Sequence, residues 1–149
     1  MRKAVVIVGG GARTAEKKVK KYLKIMGFPF VATWAALDMF THDYPNYIGT
    51  FGITGSKAGN KAVQEADQLI VLGSRLDTHQ TGSDPSKFAP KAYTVVVDID
   101  PTELNKKNDL HIAEKLNMTV KEFINEYSKS LQVYGRAFKT LRRRRHYNY

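Results

Sequence analysis

Three stretches bring together residue types that could do chemistry. Gly9, Gly10 and Gly11 directly follow the apolar run Ala4 to Val8 and precede a segment with helical spacing. Three glycines reach backbone angles closed to other residues and let a ligand approach the main chain closely. A helix starting beyond them offers free N–H groups and a positive dipole end, where an anion such as a phosphate can sit. The Gly9-x-Gly11 pair continues with Ala12 and Arg13. Thr14 then stands where a dinucleotide-binding fingerprint has its third glycine, and the Gly-Lys-Ser/Thr ending of a P-loop is missing. Two readings of this turn stand side by side: contact with a nucleotide or dinucleotide, and a tight turn with no ligand.

The second stretch is Gly73-Ser74-Arg75-Leu76-Asp77, again at the end of an apolar run. Arg75 and Asp77 suit either a structural ion pair or a ligand contact. The third is Asp98-Ile99-Asp100-Pro101. Its carboxylates read as the close of a strand and the start of a turn, aided by Pro101, and are set aside as a catalytic dyad or metal site. His42, His79, His111 and His146 show no ligand spacing such as His-x-x-x-His. No Gly-x-Ser-x-Gly elbow anchors a hydrolase triad. Trp34 and the tyrosines read as core and interface residues. The absence of cysteine removes disulfides and thiolate metal sites.

The elements that position these stretches follow from periodicity. Ala4 to Val8 is a continuous apolar run, as in a strand covered on both faces. Thr14 can cap the next helix. That helix places Ala15, Val19, Tyr22, Leu23 and Met26 on one face and lysines on the other. Gly27 ends it and Pro29 prevents its return. Phe30 to Thr33 reads as a short strand, Trp34 to Phe40 as a helical turn, and His42 to Gly55 as a glycine-marked loop. Ser56 caps a helix with Ala58, Ala62, Val63 and Ala66 on one face. Leu69 to Leu72 and Thr94 to Val97 are further strands, Leu110 to Ile112 a last short one, and Thr119 to Leu131 a helix. Strands alternating with helices predict an α/β fold with a mostly parallel sheet and helices on both faces. The glycine-, Arg- and Asp-bearing segments then gather at the strands' C-terminal ends, where open α/β sheets bind ligands.

Composition sets the outer bounds. The chain's 149 residues, 42% of them hydrophobic, suit one globular domain with a real core. No apolar run approaches the length of a membrane span. Met1-Arg2-Lys3-Ala4 leads straight into a strand, which predicts no signal peptide and a soluble, cytoplasmic protein. The net charge of +10 falls to +4 without the six basic residues between Arg136 and Arg145. The basic character therefore belongs largely to the tail. Such a tail is either a solvated or accidental extension or a non-specific binder of nucleic acid or anionic membrane.

Five segments in order resemble one family. GGGAR at 9–13, VATWAALDMF at 31–40, YIGTFGITGSKAGNKAVQEAD at 47–67, LIVLGSRLDTHQTG at 69–82 and VVVDIDPTEL at 95–104 look like the central domain of thiamine-diphosphate-dependent enzymes of the acetolactate synthase group. The resemblance covers roughly residues 4 to 125. It implies a Rossmann-like three-layer αβα sandwich with a mostly parallel five- to six-stranded sheet over residues 1–132, followed by a basic tail, 133–149. In complete members the flanking domains bind thiamine diphosphate and Mg2+ and hold the catalytic groups, so this chain alone is expected to be inactive. The central domain binds FAD, ADP or nothing in different members. Carried over, nucleotide contacts would fall on Gly9, Gly10 and Gly11 near phosphate or ribose. Thr33 and Trp34 would line the second strand's end. Gly52 and Ile53 would stand with Thr54 where FAD-binding members have Gly-Met-His. Gly73, Ser74, Arg75 and Asp77 would approach the nucleotide, and Asp98 and Ile99 its adenine side. Thr54 departs from the family histidine, and His79 from the second arginine of an Arg-x-Asp-x-Arg pattern. The resemblance also implies association, with copies of the same chain or with thiamine-diphosphate-binding catalytic domains. Two rival readings are an independent FAD- or adenine-nucleotide-binding module and a basic protein binding nucleic acid through its Arg-rich tail.

Overall fold

β1 (Ala4–Val8) is buried along its whole length, as an unbroken apolar run requires of a strand covered on both faces. The computed structural model describes residues 3–76, 81, 82, 84–105, 110 and 112–127. In it, β1 pairs in parallel with β2 (Phe30–Ala32) on one side and β4 (Gln68–Leu72) on the other. β3 (Tyr47–Thr50) extends the sheet beyond β2. β5 (Tyr93–Asp98) and β6 (Glu114–Asn117) extend it beyond β4. The order is β3-β2-β1-β4-β5-β6. Each of these neighbouring pairs is parallel, so the mostly parallel sheet expected from the sequence is parallel throughout.

Two apolar layers sandwich the sheet. On one face α1 (Glu16–Met26), the 3-10 turn Trp34–Met39 and a helix at 120–127 enclose Val6, Val8, Phe30, Leu72 and Val97. On the other, α2 (Lys57–Gln64), the segment around Phe88 to Ala92 and the short helix Pro101–Asn105 cover Val5, Ile7, Val31, Val71 and Val96. This is the Rossmann-like three-layer sandwich. No described helix is long and apolar enough to cross a membrane.

Local signals explain most of the boundaries. Gly27 takes a left-handed conformation, φ 65°, and its N–H donates to the Leu23 carbonyl at 3.0 Å, closing α1. Ser56 caps α2: its Oγ accepts from the Gly59 N–H at 3.0 Å and also donates to the Thr50 carbonyl at 3.2 Å, tying the helix to β3. Ser56→Ala is therefore expected to cost about 1–2 kcal/mol, read as a lowered urea midpoint with an unchanged denaturant slope. An unchanged midpoint would rule the cap out as a stabilising contact.

The structure corrects five expectations. Thr14 does not cap α1: residues Gly10–Ala15 form a 3-10 turn, α1 begins only at Glu16, and Thr14 Oγ1 donates to the Gly11 carbonyl at 3.1 Å. The stretch read as a loop from His42 to Gly55 contains β3, a half-buried strand hidden by Gly49 at its third position. The last strand is Glu114–Asn117, not Leu110 to Ile112. Its polar residues suit an edge strand, which the free side of β5 templates through the Ala113 N–H to Thr94 carbonyl bond at 2.9 Å. On α2 the buried positions are Gly59 and Val63, while Ala58 is exposed. Trp34 is not a core residue but an exposed one. Helix residues beyond 127, the boundary at 132, the basic tail, Asp77, His79, His111 and His146 lie outside the described residues.

Candidate functional site

Parallel strands bring their C-terminal ends to one edge. In the observed order that edge runs from Gly52–Ile53 after β3, through Thr33–Trp34 after β2 and the glycine turn after β1, to Gly73–Arg75 after β4 and Asp98–Ile99 after β5. The chain leaves β1 toward β2 and leaves β4 toward β5, so the strand order reverses between β1 and β4. Open sheets of this kind bind ligands at such a switch point.

Here the loops after β1 and β4 touch through main chain. Gly9 N–H donates to the Leu72 carbonyl at 2.8 Å and Gly11 N–H to the Gly73 carbonyl at 2.9 Å. A Cβ on Gly9 would stand 2.5 Å from the Gly73 oxygen, and one on Gly11 would stand 2.9 Å from the Gly73 Cα. Gly10 faces the other way, where a Cβ would meet that of Ala35 at 2.9 Å. All three glycines thus serve close packing between neighbouring loops. The nearest α-helix starts with Glu16 in its first turn, whose charge opposes an anion at that dipole end.

The side chains around the turn are tied to the protein in several ways. Thr33 is buried, and its N–H donates to the Val8 carbonyl at 3.0 Å. Ser74 is buried, and its Oγ accepts from the Leu76 N–H at 3.2 Å. Gly52 is held on both sides by Asn60, whose Oδ1 accepts from the Gly52 N–H at 3.0 Å and whose Nδ2 donates to the Gly52 carbonyl at 2.8 Å. Asp98 Oδ1 accepts from the Asp100 N–H at 2.8 Å, and Asp100 Oδ1 from the Thr102 N–H at 2.9 Å. Residues two apart along a strand share a face. Asp98 and Asp100 are nonetheless separated, because β5 ends at Asp98 and each carboxylate caps the turn that follows. Asn117 Nδ2 latches that turn from β6, donating to the Ile99 carbonyl at 2.8 Å.

Large apolar side chains stand out from this framework. Trp34, Ile53 and Ile99 are 66%, 65% and 69% exposed. They sit on three different loops of the same edge, with Arg75 exposed between them. Exposed apolar residues scattered singly are ordinary, and these three share the sheet edge that carries the strands' C-terminal ends. The residues could thus meet a flat ring system or a protein neighbour, with Arg75 able to face an acidic group. Asp77 lies outside the described residues, so its ion pair with Arg75 is not described.

Three site features escaped the sequence reading. Arg13 forms a two-pronged ion pair with Asp38, its second nitrogen 3.0 Å from Oδ2, and donates to the Ala35 carbonyl at 3.1 Å. This bridge ties the loop after β1 to the loop after β2. The Arg13 hydrogen bond holds the Asp38 carboxyl below its ordinary range. Asn60 and Asn117 are the other two. No spacing rule relates Arg13 to Asp38, and only the pairing of β1 with β2 makes them neighbours.

Comparison with known proteins agrees with this architecture. The family described as thiamine pyrophosphate enzyme, central domain, matches residues 1–126. The chain is 40% identical over 114 residues to the acetolactate synthase isozyme 2 large subunit of Escherichia coli, a stretch that is 75% of this chain and 21% of that protein. It is 35% identical over 112 residues to chloroplastic acetolactate synthase 1 of Zea mays, covering 75% and 17% respectively. It is also 35% identical over 127 residues to the acetolactate synthase of Mycobacterium bovis, covering 83% and 20%. The chain spans about a fifth of the length of these relatives.

Proposed function

This chain belongs to the family of thiamine pyrophosphate enzyme central domains, and from that premise we propose that it is the scaffolding unit of an acetolactate-synthase-like enzyme. Thiamine diphosphate, Mg2+ and the catalytic groups sit on domains outside it. The complete enzyme makes or breaks a carbon–carbon bond of a 2-oxo acid, and this chain contributes position rather than reacting groups. The observation that supports the reading is the row formed by Trp34, Ile53 and Ile99 along one sheet edge, a face suited to burial against a neighbouring domain. The partners are accordingly thiamine-diphosphate-binding domains or further copies of the chain, and the location is the cytoplasm.

The test is a graft. This chain replaces the matching segment of the Escherichia coli isozyme 2 large subunit, and acetolactate formation is measured. Activity above background is expected, and the double substitution Trp34→Asp and Ile53→Asp in the graft is expected to abolish it. A folded, soluble graft without activity would overturn the scaffold reading.

FAD or ADP is the cofactor this reading assigns to the domain, in a structural role. Its contacts would fall on that edge: Gly9, Gly10 and Gly11 near phosphate or ribose, Trp34 and Ile53 against a ring, Arg75 against a phosphate, Ile99 toward the adenine side. Calorimetric titration with FAD and with ADP is expected to show saturable binding of one of them, weakened about tenfold by Trp34→Ala, a loss of about 1.4 kcal/mol. No saturable heat from either nucleotide would remove the cofactor assignment and leave the scaffold role to the graft.

A further inference from the structure

Two 3-10 turns of six residues each stand side by side at the sheet's C-terminal edge: Gly10–Ala15 after β1 and Trp34–Met39 after β2. The hydrogen bonds of a 3-10 turn are poorly aligned, so long runs of it are uncommon. Among the described residues, neither turn is capped at its start by the side chain before it. Each therefore needs support from outside itself. Buried Ala36 and Met39 hold the inner side of the second turn. Trp34, Ala35, Leu37 and Asp38 form its exposed side.

We propose that Arg13 and Asp38 are positioning residues for Trp34, bracketing the turn that carries its indole. Three observations converge. The first is the fork. Arg13 Nη1 and Nη2 donate to the two oxygens of Asp38, the second at 3.0 Å, and Nη1 also donates to the Ala35 carbonyl at 3.1 Å. Three bonds on one planar guanidinium fix its plane as well as its place. The second is spacing. Residues three apart in a 3-10 turn lie on one line, so a single guanidinium reaches both Ala35 and Asp38. The Ala35 carbonyl is one residue along the backbone from Trp34, and holding it restrains the point from which the indole departs. The third is the base from which Arg13 reaches. Ala12 beside it is buried, and a Cβ on Gly73 would lie 2.8 Å from the Ala12 nitrogen. The first turn is thus seated on the loop after β4, and from there Arg13 spans to the second turn.

Stability alone does not explain the pair. The two side chains are 49% and 71% exposed, and exposed ion pairs contribute little to stability. A two-pronged pair with a third bond supplies direction instead. Without it, Ala36 and Met39 stay in the core while the outer side of the turn opens locally, and Trp34 no longer leaves the edge in one direction. What Trp34 is needed for rests on the function proposed above. The bracket that holds it is tested separately.

Trp34 is the chain's single tryptophan, so its fluorescence reports on this turn alone. Time-resolved anisotropy is measured on the full chain and on Arg13→Gln, Arg13→Lys and Asp38→Asn. The nanosecond component of indole motion is expected to grow roughly twofold in amplitude in each variant, with the urea midpoint unchanged. Lysine keeps the charge but loses the fork, so faster motion in Arg13→Lys assigns the effect to geometry rather than net charge. Arg13→Gln combined with Asp38→Asn is expected to match the single variants rather than exceed them, as for two members of one interaction. In the Escherichia coli graft, Arg13→Gln is expected to reduce acetolactate formation. An unchanged anisotropy decay in the folded variants would overturn the proposal. So would a urea midpoint that falls in step with the faster motion, which would make the pair an element of the fold, or a graft whose activity Arg13→Gln leaves untouched. If Arg13→Gln fails to fold, Asp38→Asn decides. If the unsubstituted graft is inactive, the scaffold reading falls and the anisotropy decay alone decides this inference.

Discussion

Gly73→Ala is expected to lower stability by about 2–5 kcal/mol, although the change adds a single methyl group. The added Cβ would lie 2.7 Å from the Gly11 Cα and 2.8 Å from the Ala12 nitrogen. Both are main-chain atoms, so no side chain can rotate aside, and overpacking of that kind costs about 1–3 kcal/mol. Gly73 also holds φ at +70°, a left-handed conformation that costs a side-chain-bearing residue about 1–2 kcal/mol. Urea unfolding of the ligand-free protein is the measurement. The result separates the two readings of the glycine turn. If the glycines exist for a ligand, alanine spares the ligand-free fold and abolishes binding. If they exist to let two loops touch, alanine unfolds the protein before binding can be asked about. A loss below about 1 kcal/mol would contradict the packing role of these glycines.

The second large effect is at Phe30. Phe30→Ala is expected to cost about 3–5 kcal/mol, the range for deleting a buried aromatic ring. Phe30 is fully buried in β2 and touches three other rings: Phe40 at 4.7 Å, Tyr47 at 5.3 Å and Tyr44 at 5.9 Å between centroids. These partners come from the 3-10 turn's exit and from β3, so the ring cluster is what fastens the sheet's β3 edge to its centre. Besides the lower urea midpoint, amide exchange across Tyr44 to Thr50 is expected to quicken more than exchange in β4. The Phe30 N–H to Asn46 carbonyl bond at 3.0 Å belongs to the same junction. A loss under about 2 kcal/mol, or exchange that quickens uniformly, would show that β3 is held by its ladder alone.

Some elements could be read residue by residue. β1, β4 and β5 are apolar runs because both their faces are covered, and burial on both sides leaves a mark on every residue. The Ser56 cap and the Gly27 stop act within four residues, so their chemistry is visible in a short window. β3 and β6 left no such mark. Each lies at an edge of the sheet, is only partly buried or exposed, and is held by the ladder of its neighbour. Thr14 has the right type and position for a cap, yet the backbone enters a 3-10 turn first and sends its hydroxyl to the Gly11 carbonyl.

For the site, the amino-acid order was enough to establish the α/β class, the family, and the gathering of Gly9 to Gly11, Gly73 to Arg75 and Asp98 to Ile99 at strand ends, because alternation and strand polarity are local properties of the chain. What those residues do there came from the fold. Gly9, Gly11 and Gly73 meet one another because β1 lies beside β4, 64 residues on in sequence by register. Arg13 reaches Asp38 because β1 also lies beside β2. Trp34 stands 66% exposed at the start of the turn whose buried positions are Ala36 and Met39, a facing that its residue type does not announce. Contacts between distant segments depend on which strands become neighbours, and that is settled by the packing of the whole chain rather than by any one stretch of it.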